Sequence, residues 1–231
     1  MENAVPQNPT LELLVAAQHE LRDALNGLGG HEGDGLLEHY RFWTTSHINR
    51  TAEGYIYLRT SDRIDASKHL VRPAIEAAFR LQAVRRNPVL LFRIAFSEFE
   101  EDRKWLQATA LKTNPNAPAS IQDQWNTFRT AYASKYPSHQ LIEEYLPLRA
   151  AAECAGLEGY YDTHYRLYCK FTHGAFRATT GNLNEFETED TRAMILCVLV
   201  AVENLTLLGA PAPNIDSLKQ RLGDLIPEVT S

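Results

Sequence analysis

The sequence predicts an all-α protein, a bundle of about eight or nine helices. Apolar residues recur at three- and four-residue steps through most of the 231-residue chain. Glycine, proline and capping residues fall between those stretches. No segment carries a convincing period-two pattern. Residues 194–202 come closest, through the β-branched Ile195, Val198, Val200 and Val202. The expected organisation is one helical domain over 1–231, with the helix at 10–27 set apart as peripheral and a core over about 36–209.

The first helix is marked by Leu11, Leu14, Val15, Leu21 and Leu25, with Thr10 as N-cap and Gly27, Gly29 and Gly30 as stop. The glycine-rich stretch 27–35 has no preceding strand and no following Lys-Ser/Thr, so it reads as a connector and not as a phosphate loop. A long helix follows over about 36–59 and breaks at Thr60-Ser61-Asp62. The next covers about 66–84, where Pro73 marks either a kink or the true start. Asn87-Pro88 opens a helix through Phe92, Phe96, Phe99 and Trp105, and 112–120 is a loop with Pro115 and Pro118. Helices are expected over about 121–134, 140–154 (with Pro147 as kink or break) and 157–174. A polar loop over 175–187 then leads to Thr188-Glu189-Asp190, which caps and charges the start of an apolar helix ending near Gly209. Ala210-Pro211-Ala212-Pro213 ends that helix, and a short one follows over about 216–225.

Composition narrows the function classes. With 23 basic and 29 acidic side chains the net charge is −6, which argues against a protein that coats duplex nucleic acid by neutralising phosphates. The three cysteines are widely spaced and odd in number, so free thiols in a reducing compartment are expected. The polar N-terminus lacks a basic-then-apolar leader, and the longest apolar run, 193–202, is about half of the ~20 residues a span needs. The expected location is cytoplasmic, with no membrane association.

Candidate chemistry concentrates in 160–173. Arg166 and His173 are seven apart, which returns both to one helical face about 10 Å apart along the axis. Asp162 precedes Arg166 by one turn, and Cys169 lies between Arg166 and His173. Tyr161, Tyr165 and Tyr168 form an adjacent aromatic stripe. Cys169 and His173 are one turn apart, but no third group orients them, and a structural thiol is the simpler reading. A second charged set, His69, Arg72, Glu76 and Arg80, runs down the third helix among small alanines. If Glu76 is drawn inside it needs a cation, from Arg72, Arg80 or Arg166. His39, Trp43 and His47 share a face of the second helix, but histidines eight apart do not make a one-turn metal pair, and no H-E-x-x-H occurs. Glu98, Glu100, Glu101 and Asp102 read as a solvated face. No metal and no cofactor are expected.

Two stretches carry a family resemblance. Arg72-Pro73-Ala74-Ile75-Glu76, and Arg149 to Leu157 followed by Tyr161, Tyr165-Arg166 and His173-Gly174, resemble a bacterial all-helical family known mainly as a domain of unknown function. Cys169 stands where that family commonly has serine. The Arg166-x6-His173 spacing is also similar to the signature of HEPN-type helical ribonucleases, although Leu167 stands where active members commonly have a polar residue. That resemblance implies a HEPN-like fold and metal-independent RNA cleavage at a homodimer interface, with an antitoxin or defence-system partner. Arg166 would bind phosphate and His173 would act as general acid/base, with Asp162, Arg72, Glu76, Tyr165 and Cys169 in support and Lys170 or Arg177 adding local positive charge. Two other readings stand beside it. One is a non-catalytic binding or assembly module with Arg72, Glu76, Arg166 and Asp162 as a structural polar core. The other is a ligand-sensing bundle whose tyrosine stripe lines a pocket.

Overall fold

The structure, a computed structural model, describes residues 8–29, 35–109, 117–172 and 187–210, with 216, 217, 220 and 221 beyond them. Every regular element among these residues is helical, as the all-α reading requires. The elements are α1 (Pro9–Gly27), α2 (Leu36–Thr60), α3 (Ile64–Arg86), α4 (Leu90–Thr109), α5 (Ala117–Lys135), α6 (Leu148–Ala155), α7 (Glu158–Tyr160), a π turn (Tyr161–Tyr165), α8 (Arg166–Thr172) and α9 (Glu187–Thr206).

α1 begins earlier than its apolar pattern suggests. Asn8, not Thr10, is the N-cap, and its Oδ1 accepts from the Thr10 and Leu11 amides at 3.1 Å each. Pro9 then occupies the first turn, where a missing N–H costs nothing. Set apart in the sequence as peripheral, α1 buries Leu13, Leu14, Ala17, Leu21 and Ala24 against α9 and α2. α3 runs unbroken through Pro73, so His69, Arg72, Glu76 and Arg80 do share one helix.

Three expected boundaries are corrected. Residues 117–120, read as loop, form the first turn of α5, where Pro118 is tolerated for the reason Pro9 is. Residues 140–147, read as helix, are irregular, and α6 starts only at Leu148. Pro147 disfavours helical backbone before it, and α4 captures the freed groups: the Leu146 amide donates to Ser97 Oγ at 3.0 Å, and Arg93 donates to the Tyr145 carbonyl at 3.1 Å. The expected helix over 157–174 is interrupted by the π turn, and its last two residues lie outside the described ones. So do most of the loop at 175–187 and of the helix at 216–225.

α9 resolves the strand-or-helix ambiguity of 194–202. It is buried almost all round, from Ala193 to Val202, as expected of a helix at the centre of a bundle. Around it lies a first core from α1, α2 and α3, to which the stretch after α7 adds Tyr165 and Tyr168. A second core joins the end of α3 to α4, α5 and α6. It is built on Phe92, Trp125 and Tyr132, with the Phe92 centroid 5.2 Å from each of the other two. α3 is common to both, giving Val71 to Leu81 to the first core and Ala83 and Val84 to the second.

Candidate functional site

The polar groups around the stretch from α7 to α8 fall into three sets. The π turn is held by i,i+4 ring stacking, Tyr160 on His164 at 4.2 Å and Tyr161 on Tyr165 at 5.0 Å. Thr163 Oγ1 adds a bond to the Gly159 carbonyl at 2.8 Å. Such single π turns recur at functional sites because they re-aim the side chains that follow. Here Tyr165 turns into the core and Arg166 stays outside.

The first set is Arg72, Glu76 and Tyr165. Glu76 Oε1 accepts from Arg72 Nε at 2.8 Å and from the Tyr165 hydroxyl at 2.7 Å, and the Arg72 guanidinium lies 5.7 Å from the Tyr165 ring centre. Of the three cations weighed for Glu76, Arg72 is the one bonded to it. Burial alone would lower the Arg72 guanidinium, and the hydrogen bonds to Glu76 and Tyr165 more than reverse that. Burial and the Glu76 bond both push the Tyr165 hydroxyl well up, with the Cys169 thiol beside it. This set fastens α3 to the residue before Arg166. It does not include Arg166 itself.

The second set is on the surface. Arg166 is 67% exposed, with Nη1 4.0 Å from Asp162 Oδ1. Arg149, at the start of α6, approaches the other oxygen of Asp162 at 3.4 Å and holds Glu153 at 3.2 Å. Pairs this exposed contribute little to stability. Their effect is to place two guanidiniums around one carboxylate on an open face, with planar donors suited to phosphate oxygens. His173 and Arg177 lie outside the described residues, as does the side chain of Lys170.

The third set was not legible in the sequence. Asp190, expected as a helix-start charge, is fully buried. Its Oδ1 accepts from the Tyr168 hydroxyl at 2.8 Å, and its Oδ2 lies 3.9 Å from the buried Lys68 Nζ. Tyr55 and Thr191 share a hydrogen bond at 3.0 Å beside it, and Arg59 lies 6.0 Å from the Tyr55 ring centre. Burial raises the Asp190 carboxyl to about 6 against the pull of Tyr168, Lys68 and Arg59. The same burial lowers Lys68. The available signal was an acid three residues before the longest apolar run.

The tyrosine stripe belongs to the core: Tyr165 and Tyr168 are buried, and Tyr161 packs against the same cluster. Open space lies elsewhere. A cavity of about 420 Å³ sits between α2, α4 and α5, and one of about 400 Å³ between α2, α3 and α4. His39, Trp43 and Glu98 line the first, and Trp43, His47, Glu76 and Glu98 the second. No cluster of three or more His, Cys, Asp or Glu suited to a metal occurs among the described residues. No described helix is long and apolar enough to cross a membrane. No curated protein and no solved structure matches the chain. Residues 42–191, from within α2 to the first turn of α9, match a family model, and on that match over well over half of its length the chain belongs to the family of unknown function DUF5677.

Proposed function

We propose that this chain is a HEPN-like endoribonuclease that works without a metal, as a homodimer, in a toxin or antiviral defence system. The observation that carries this reading is the placement of Arg166. Its guanidinium is exposed at the first position of α8, while the preceding Tyr165 is bonded into the core through Glu76. A solvent-facing guanidinium next to a residue anchored in the core suits the bracing of a phosphate. His173 follows the last residue of α8 in the sequence.

RNA carries its own nucleophile. One imidazole takes the proton from the 2′-hydroxyl, whose oxygen attacks the adjacent phosphorus. The P–O5′ bond breaks, and a second imidazole, from the other copy, returns a proton to the leaving oxygen. The products are a 2′,3′-cyclic phosphate and a 5′-hydroxyl end. Arg166 stabilises the charge that develops on the non-bridging oxygens.

The test is incubation of the purified chain with single-stranded RNA in the presence of EDTA. Cleavage to cyclic-phosphate ends is expected, reduced by about 10²–10⁴-fold in Arg166→Ala and in His173→Ala. Equal cleavage by His173→Ala overturns the assignment. A second reading, a non-catalytic binding or assembly module, draws on the half-buried Arg72–Glu76–Tyr165 set. It expects no RNA cleavage under any condition and a strong loss of stability when Arg72 or Glu76 is replaced.

A further inference from the structure

The cavity between α2, α4 and α5 has the walls of a receptor for an organic cation. Its floor is aromatic: Phe99 and Trp125 stack with centroids 5.0 Å apart and planes 17° apart, and Phe128 continues the stack 5.6 Å beyond Trp125. At its rim stands Trp43, which keeps 44% of its surface exposed and so leaves an indole within reach of a ligand. Phe42 meets the Trp43 ring edge-on at 5.7 Å, and His39 lies tilted against it at 6.0 Å.

The charge of the lining has one sign. Glu98 and Asp102, one turn apart on α4, both line the cavity, and no lysine or arginine does among the described residues. Glu98 also borders the neighbouring cavity, where Arg80 acts on it, while Asp102 and Glu101 add negative charge from its own helix. Burial, with those two acids, holds the Glu98 carboxyl above its usual range despite Arg80. A space of about 420 Å³ is within the range that takes a small molecule and is far too narrow for a folded partner. Aromatic faces attract cations through the ring quadrupole, most strongly where water is partly excluded.

From this juxtaposition of stacked rings, an exposed indole and two carboxylates, we propose that the α2–α4–α5 cavity binds a small organic cation, an ammonium group carried on an apolar body. The ammonium sits between the Trp43 ring and the Glu98 and Asp102 carboxylates, and the apolar body lies on the Phe99–Trp125 floor. This inference is independent of the ribonuclease reading, since none of these residues belongs to the Arg166 site.

The test uses the full chain and three soluble probes of matched shape: 4-phenylbutylammonium, the neutral 4-phenylbutanol and the anionic 4-phenylbutanoate. Binding is followed by tryptophan fluorescence and by the shift in Tm. The ammonium is expected to bind about tenfold tighter than the alcohol, with the carboxylate weakest. The double variant Glu98→Gln/Asp102→Asn is expected to narrow the preference for ammonium over alcohol severalfold, and Trp43→Ala to weaken the ammonium about tenfold, read through Tm. Equal binding of the three probes by the wild type, no binding of the ammonium, or a preference left unchanged in the double variant overturns the proposal. Because Trp43 is exposed, its variant tests the site even if the double variant melts early, and unchanged ammonium binding in Trp43→Ala also overturns it.

Discussion

Tyr165 and Arg166 are adjacent in sequence and opposite in fate, and the difference separates stability from activity. Tyr165 donates to Glu76, which also holds Arg72, so Glu76→Ala strands a buried hydroxyl and a guanidinium together. The expected cost is about 1–3 kcal/mol, read as a fall in Tm of about 2–4 °C for each kcal/mol in a chain of this size. Arg166→Ala removes an exposed side chain whose contact among the described residues is one long pair with Asp162, so stability should stay within about 0.5 kcal/mol of wild type while RNA cleavage is lost. If Arg166→Ala melts as early as Glu76→Ala, Arg166 belongs to the structural set. Asp190 supports a pH prediction. Burial raises its folded carboxyl to about 6, above the unfolded value of about 4, so the folded state binds the extra proton in that window. Relative to Asp190→Asn, wild type should therefore gain stability as pH falls from about 7 to about 4. Thermal melts across that range check it, and a difference independent of pH would show that Asp190 does not titrate there.

Elements whose ends are fixed by local chemistry were the ones legible in the sequence. α2 and the end of α9 lie within a few residues of expectation because their apolar periods run uninterrupted to a turn. The second half of the expected helix at 140–154 was right and its first half wrong, because the decisive partners of Leu146 and Tyr145 come from α4, some fifty positions earlier. The π turn was not legible for a related reason. A uniform 100° per residue was assumed, whereas ring stacking at four-residue steps and the Thr163 back-bond widen one turn. α6 ends at Gly156 with φ +69, where the Leu157 amide reaches back to the Ala152 carbonyl at 2.8 Å. Gly156→Ala should cost more than about 1 kcal/mol, since the Arg86 side chain also packs against that position, and a denaturation midpoint measures it.

At the scale of the molecule, the net charge of −6 and the proposed RNA contact are compatible because the contact is local. Of the candidate site, the sequence paired Arg72 with Glu76 and Asp162 with Arg166, since these rest on helical spacing and on the need of a buried acid for a cation. It also grouped Arg166 with Glu76 and left Tyr165 on a separate stripe, where the structure bonds Tyr165 to Glu76 instead. It could not place Lys68 with Asp190, or Trp43 with Glu98, because those meetings depend on how helices far apart in the chain cross. A site that uses one Arg166 from each of two copies contacts about two phosphates. The logarithm of RNA affinity should then fall with the logarithm of salt at a slope of only about −1.4. A slope several times steeper would point to a broad basic surface instead of a local contact. The most direct test remains the turnover of single-stranded RNA in EDTA by wild type, Arg166→Ala and His173→Ala at matched foldedness. The account expects cleavage by wild type alone; cleavage retained in either variant, or absent from all three, would contradict it.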